Sequence, residues 1–302
     1  MIQLSAHIIT PAAHLWLADT THARLLNVFE HACNLVNQNG AVMALVTASL
    51  PLAPFALQVE AANLHGLTAA AAVRVTSTEL YVGRWRIDTT HAQVWSPMPD
   101  WATARRAVTN DPDLLDSLAR HAFASCAPGT LLELYTAPSS TTVLKLFARG
   151  ATNLVNGMRT HSLNRAIDGA RQLAGLGQGL TPGGDDFIIG VMFAAWSGLY
   201  GTAAKAFCIR LAQTAAPRTT TLSGAFLHAA ARGEAMSVWH TLLTAFARPS
   251  DFVPALQALF QVGHTSGADA FAGLIASCYW KDIGVAFQLK AINNWGRETK
   301  AA

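Results

Sequence analysis

A chain of 302 residues, 51% hydrophobic and only 13% charged, with a mean hydropathy of +0.27, carries enough apolar surface for one large core or two smaller ones. Its net charge of +3, with no cationic run longer than Arg105-Arg106, excludes an electrostatically driven nucleic-acid binder. So little polar surface points to an oligomer, as copies of itself or with other subunits. Arginine outnumbers lysine sixteen to five, which suits carboxylate or phosphate recognition.

The segment Met1–His7 lacks the basic flank and apolar stretch of a signal peptide. Cys33, Cys126, Cys208 and Cys278 are far apart and form no CxxC pair. Buried reduced thiols in a cytoplasmic protein are the expectation.

In chain order, a helix is expected between Thr21 and Val36, where Leu25, Leu26, Phe29, Ala32 and Cys33 share a face. Strands follow. Ala41–Thr47 is a continuous apolar run, and Phe55–Glu60, Ala72–Thr76 and Leu80–Ile87 alternate. Pro51, Pro54, Asn63 and Gly66 separate them, so residues 1–97 read as a β-rich barrel or sandwich. Ser96-Pro97-Met98-Pro99 marks the boundary. From residue 98 to 302 the periods turn helical, giving an α+β chain: helices at Trp101–Val108, Asp113–Ala124 after an Asp111 cap, Thr141–Asn156, Ser162–Ala174, Phe187–Tyr200, Ala203–Thr214, Phe226–Phe246, Phe252–Val262 and Ala268–Tyr279. Leu131–Tyr135 reads as a strand among them. Phe187–Ala204 approaches the length of a membrane span but contains three glycines and opens on two aspartates, so a buried central helix is expected.

Three segments could carry chemistry. The first is Gly175-Leu-Gly177-Gln-Gly179-Leu-Thr181-Pro182-Gly183-Gly184-Asp185-Asp186, where five glycines precede a helix start. With Thr181 as N-cap and Pro182 at the first helical position, Gly183 and Gly184 fall inside the first turn. Glycine there costs about 1 kcal/mol against alanine, a cost that makes sense if a ligand or another backbone comes close. Free amides at a helix start take an anion. Asp185 and Asp186 argue instead for a cation, an amine or simply the helix dipole.

The second is Gly263-His264-Thr265-Ser266-Gly267-Ala268-Asp269-Ala270-Phe271, in which Thr, Gly, Asp and Phe recur at the offsets of Thr181, Gly183, Asp185 and Phe187. Two similar helix starts could face each other across one pocket. The third, Arg218-Thr219-Thr220-Thr221-Leu222-Ser223-Gly224, adds hydroxyls and a guanidinium suited to bidentate anion contact. No P-loop, dinucleotide fingerprint, H-E-x-x-H or G-x-S-x-G pattern occurs. His228 and His240 read as packed or exposed; His264 stands inside a motif.

Together the G-L-G-x-G-L-T-P-x-G-D-D block, the T-T-x-x-S-G segment and G-H-T-S-G-x-D resemble a bacterial family long described only as a domain of unknown function. Its better-known member is the AllH subunit of oxamate carbamoyltransferase, encoded with allantoin-degradation genes. The motifs span Gly175 to Gly273. Gly183 stands where many members carry serine. The resemblance implies a part in reversible carbamoyl transfer, oxalurate plus phosphate giving oxamate plus carbamoyl phosphate, and it implies partner subunits. On this reading Gly179, Thr181, Gly183, Gly184, Thr220, Thr221, Ser223, Thr265, Ser266 and Gly267 supply amides and hydroxyls to a small anionic substrate, and Arg218 the countercharge. Asp185, Asp186, His264 and Asp269 carry proton or amine contacts. Two alternatives stay open: a hydrolase holding Mg2+ or Mn2+ on Asp185, Asp186 and Asp269, and a non-catalytic subunit whose glycines serve close packing.

Overall fold

The computed structural model describes residues 1–111, 113–125, 127–136 and 142–278. Pro112 and Cys126, and with them the proline of the expected Asp111 cap, lie outside these residues, as does everything after Cys278. The chain forms two compact units: residues 1–99 with 234–240, and 100–233 with the rest of the described chain.

The first unit is a barrel-like sheet. Its strands are β1 (Ile2–Ile9), β2 (Ala23–Val28), β3 (Ala32–Asn37), β4 (Val42–Thr47), β5 (Ala56–Val59), β6 (Val73–Val75), β7 (Glu79–Val82), β8 (Trp85–Asp88) and β9 (Gln93–Val94). They pair in the order β2-β3-β4-β5-β1-β8-β7-β6, with β9 on β1, and β2 comes back beside β6 so that the sheet nearly closes. Closure removes most exposed edges. Within it, β4 and β5, β1 and β8, and β1 and β9 run parallel. Leu35, Leu45, Leu57, Leu80 and Ile87 point inward and are fully buried. Helix α1 (Pro11–Asp19) starts where Thr10 caps the Ala13 amide, with proline at its first turn. It sends Trp16 and Leu17 into the same core, and the Trp16 indole donates to the Ala41 carbonyl at 2.8 Å.

Two sequence expectations fail here. The helix expected at Thr21–Val36 is the β2–β3 hairpin. Leu25 and Cys33 do share a core, but Phe29 lies at the turn and is half exposed, so the apparent helical face is two strands folded about Glu30-His31. Asn34 and Asn27 pair across the hairpin at 2.7 Å, fixing its register. The single strand expected at Leu80–Ile87 is likewise a hairpin, turning at Gly83 with φ +57°.

The second unit is helical: α2 (Trp101–Asn110), α3 (Leu114–Ala124), α4 (Glu133–Thr136), α5 (Thr142–Arg159), α6 (Leu163–Leu173), α7 (Gly183–Trp196), α8 (Lys205–Ala215), α9 (Thr221–Ala231), α10 (Ser237–Ala245), whose first residues belong to the barrel unit, α11 (Phe252–Phe260) and a last helix, α12, over 266–278. Among the described residues three short 3-10 turns interrupt them. The strand expected at Leu131–Tyr135 is the short α4, because Glu133, Leu134 and Tyr135 amides turn back onto carbonyls three residues earlier. The long helix expected at Phe226–Phe246 breaks at Gly233, φ +82°, into α9 and α10. Cys33 and Cys208 are buried free thiols, which burial pushes up to about 12; Cys278 is free but exposed, against expectation.

Helix α7 is the hub. Every residue from Gly184 to Ala195 is buried, as expected of a helix apolar on all sides, and α5, α6, α8 and α9 all touch it. Among the described residues no helix is long and apolar enough to cross a membrane. Its crossing with α12 is the tightest contact: a Cβ on Gly190 would lie 1.8 Å from the Ala270 carbonyl, and one on Gly273 2.1 Å from that of Phe187. Gly190→Ala should therefore force the two helices apart and cost about 3 kcal/mol or more. Gly179→Ala, where φ is +89° but nothing lies within 4 Å, should cost about 1 kcal/mol through backbone strain alone. Urea denaturation of the two variants checks the ranking.

Candidate functional site

The two similar helix starts meet. Thr181 Oγ1 and Ser266 Oγ are 2.8 Å apart, and Asp186 also bonds the Ser266 hydroxyl. A Cβ on Gly183 would lie 2.8 Å from Asp269 Oδ2. Phe187 and Phe271, at matching offsets, are both fully buried beneath them. Each start also holds a buried carboxylate on a backbone amide from elsewhere in the unit: Asp185 on Gly175 at 2.9 Å, Asp269 on Leu131 at 2.6 Å.

Pro182, not Thr181, is the N-cap of α7. The Asp185 and Asp186 amides both return to the Pro182 carbonyl, at 2.9 and 3.2 Å, which starts the helix at Gly183 and frees the Thr181 hydroxyl for Ser266. The Gly184 amide donates to the Leu176 carbonyl at 2.9 Å, and a Cβ there would strike the Leu173 carbonyl. Gly184 is thus a packing glycine, and its amide is spent. Gly267 has the same character: its Cβ would lie 1.9 Å from the Leu259 carbonyl and its amide donates to Val262.

Asp185 organises the third segment. One oxygen takes the Gly175 amide; the other takes the Ser223 hydroxyl at 2.8 Å and the Thr219 hydroxyl. Burial pushes its carboxyl up, and these three donors pull the other way. Thr220 caps the Ser223 amide of α9 and donates to the Leu180 carbonyl at 2.5 Å. Thr221 is exposed in the first turn of α9. The Arg218 guanidinium, expected as a countercharge, donates to the Thr214 carbonyl at the end of α8 at 2.7 Å and is exposed.

What remains open is a cleft of about 620 Å³. The glycine loop contributes Gly177, Gln178, Gly179 and Gly183; the α12 start contributes His264, Thr265 and Asp269. Gly129-Thr130-Leu131 with Glu133, a stretch whose second part the sequence suggests only as a strand and not as a site, forms another part, and Phe147 of α5 an apolar one. Its only advance signal is Pro128-Gly129, a turn dipeptide whose glycine sits at φ +86°. Gly177 and Gly179 hold φ of +128° and +89°, so the loop presents bare backbone.

Of the expected residues, Gly179, Gly183, His264, Thr265 and Asp269 line this cleft; Thr181 and Ser266 bridge its two helix starts. Asp185, Thr220, Ser223, Gly184 and Gly267 are engaged in holding the walls. Among the described residues that line it there is no lysine or arginine. Burial pushes the Asp269 carboxyl up to about 6, with the Leu131 amide and Thr265 hydroxyl opposing. Burial holds Asp186 well above the usual carboxylate range, its Ser266 bond opposing; Asp269 and Asp185 nearby add to the rise, and its Oδ2 has no partner. The Mg2+ or Mn2+ site of the hydrolase alternative finds no support in these three aspartates: among the described residues no three acidic, histidine or cysteine side chains are placed to hold a metal ion. Both oxygens of Asp185 are already taken.

Two outcomes follow. Asp185→Ala strands three donors and should cost about 3–5 kcal/mol in denaturant melts. Because folding holds the Asp269 proton more tightly than the unfolded chain does, its contribution to stability is complete below the ordinary value of 3.8 and is lost as pH rises through about 6. Asp269→Asn should flatten that decline across this window, measured as the urea midpoint against pH.

Family models match two stretches of the chain. Residues 5–94 match the family model described as AllH family N-terminal domain, and residues 173–278 match that of oxamate carbamoyltransferase subunit AllH. No solved structure matches the chain. The first match covers the barrel strands, and the second runs from the end of α6 through the glycine loop, the Asp185 cluster and α12. The chain belongs to the AllH family of oxamate carbamoyltransferase subunits.

Proposed function

We propose that the cleft binds the small carbamoyl-bearing anions of this transfer, oxamate and oxalurate, with phosphate or carbamoyl phosphate beside them. The observation that carries this reading is one buried carboxylate, Asp269, beside a side-chain-free glycine surface at Gly179 and Gly183. Oxamate has the complementary ends. Its amide is a donor for Asp269, and its carboxylate suits loop amides with His264. The described lining offers hydrogen-bonding groups at both ends of such a ligand.

In the forward transfer a phosphate oxygen attacks the carbamoyl carbon of oxalurate, and the bond from that carbon to the oxamate nitrogen breaks. The departing nitrogen must then take a proton. Asp269, whose proton is held up to about pH 6, and His264 are lining groups suited to give it. Fixed walls, rather than a covalent intermediate, position the reactants. The Gly184, Gly190, Gly267 and Gly273 contacts also favour a second reading, a subunit that only assembles with its partners.

Calorimetric titration of the purified chain separates the two. Under the first reading oxamate binds, and Asp269→Asn weakens it by about tenfold, roughly 1.4 kcal/mol, while inorganic phosphate binding changes little. Absence of binding by oxamate, oxalurate, phosphate and carbamoyl phosphate, with assembly into the complex intact, would establish the second.

A further inference from the structure

Outside the cleft, one surface concentrates charge. The α5–α6 hairpin carries Lys145, Arg149, Arg159, Arg165 and Arg171 against the single carboxylate of Asp168, a surplus of four where the whole chain has a net charge of +3. An open groove of about 630 Å³ runs between the two helices, lined by Arg149, Asn153, Asn164, Arg165, Arg171 and Gln172, with Ser162 and Asp168. Arg171 is paired with Asp168 at 3.2 Å. Arg149 and Arg165 are exposed and have neither a carboxylate nor a hydrogen-bond partner among the described residues.

The platform beneath them is rigid. A Cβ on Gly157 would lie 2.2 Å from the Ala166 amide nitrogen, and one on Gly169 2.2 Å from that of Leu154. Gly150 similarly lies under Leu173. Three glycines therefore press the helices together along the groove, so the arginines are displayed from fixed backbone. The groove lies outside both family-matched stretches, which end at residue 94 and resume at 173.

We propose that this groove docks a carboxylate-bearing face of another subunit of the carbamoyltransferase. A free small anion here would leave its contacts in water, where an exposed ion pair contributes little. A protein face laid over the groove removes that water, and buried guanidinium–carboxylate forks are among the stronger polar contacts. Arginine is also enriched at the centres of protein interfaces, while side chains such as Asn153, Asn164 and Gln172 suit their hydrogen-bonding rims. Steering by the +4 hairpin makes the association dependent on salt.

The test uses the full chain and the purified remaining subunits of its own carbamoyltransferase, followed by calorimetry and sedimentation. Arg149→Glu with Arg165→Glu should weaken association at least tenfold, leave the melting temperature unchanged and leave oxamate binding at the cleft unchanged. Raising ionic strength should weaken the wild-type association and affect the variant less. If the charge reversal lowers the melting temperature, Arg149→Gln with Arg165→Gln gives the same readout without added acid. Association and salt dependence unchanged in a folded variant would overturn the proposal. So would binding of inorganic pyrophosphate that is lost in the variant while subunit association persists, since the groove would then serve a free anion.

Discussion

The crossing of α7 and α12 is the constraint on which the helical unit depends. Gly190 and Gly273 let the two backbones touch, and that closeness sets Gly183 against Asp269 and Thr181 against Ser266. With any larger residue at the crossing the helix starts would separate, and the cleft would lose two of its walls. The apolar packing of Phe187 and Phe271 beneath supplies the driving force, and the glycines decide the distance at which it acts.

Carboxylates divide the remaining work. Asp185 spends both oxygens on structure, holding the glycine loop and the start of α9 to one point. Asp269 meets two donors, the Leu131 amide and the Thr265 hydroxyl, and lines the cleft with an oxygen beside Gly183. Asp186 is buried deeper and has an unpartnered oxygen. Three aspartates that look interchangeable in a motif thus differ by how many donors each one meets, and that number separates an anchor from a group able to accept a ligand.

The motifs that meet at the candidate site were legible in the sequence because their residues are local to one another along the chain. The recurrence of Thr, Gly, Asp and Phe identified two related helix starts, and the clustered glycines signalled close approach. Period also gave the helical half, since long apolar repeats are unambiguous. The β2–β3 hairpin was missed for the opposite reason. Over so short a stretch Leu25, Leu26, Phe29, Ala32 and Cys33 satisfy a helical face and two strands equally well, and only the exposure of Phe29 decides. Leu131, whose amide is essential to Asp269, carries no side-chain signal at all, because its role is played by backbone.

The sequence by itself determined the α+β division, the central apolar helix, the family and the identity of the two facing motifs, because periodicity, glycine placement and motif order are properties of the linear chain. Tertiary structure alone decided which amides were free and which were spent, that Gly184 and Gly267 pack while Gly179 stays open, and that Arg218 caps α8 rather than serving the cleft. It also gathered the arginines of α5 and α6 into one groove. Hydrogen-bond saturation and close contact are properties of three-dimensional neighbours, and no reading of residue order supplies them.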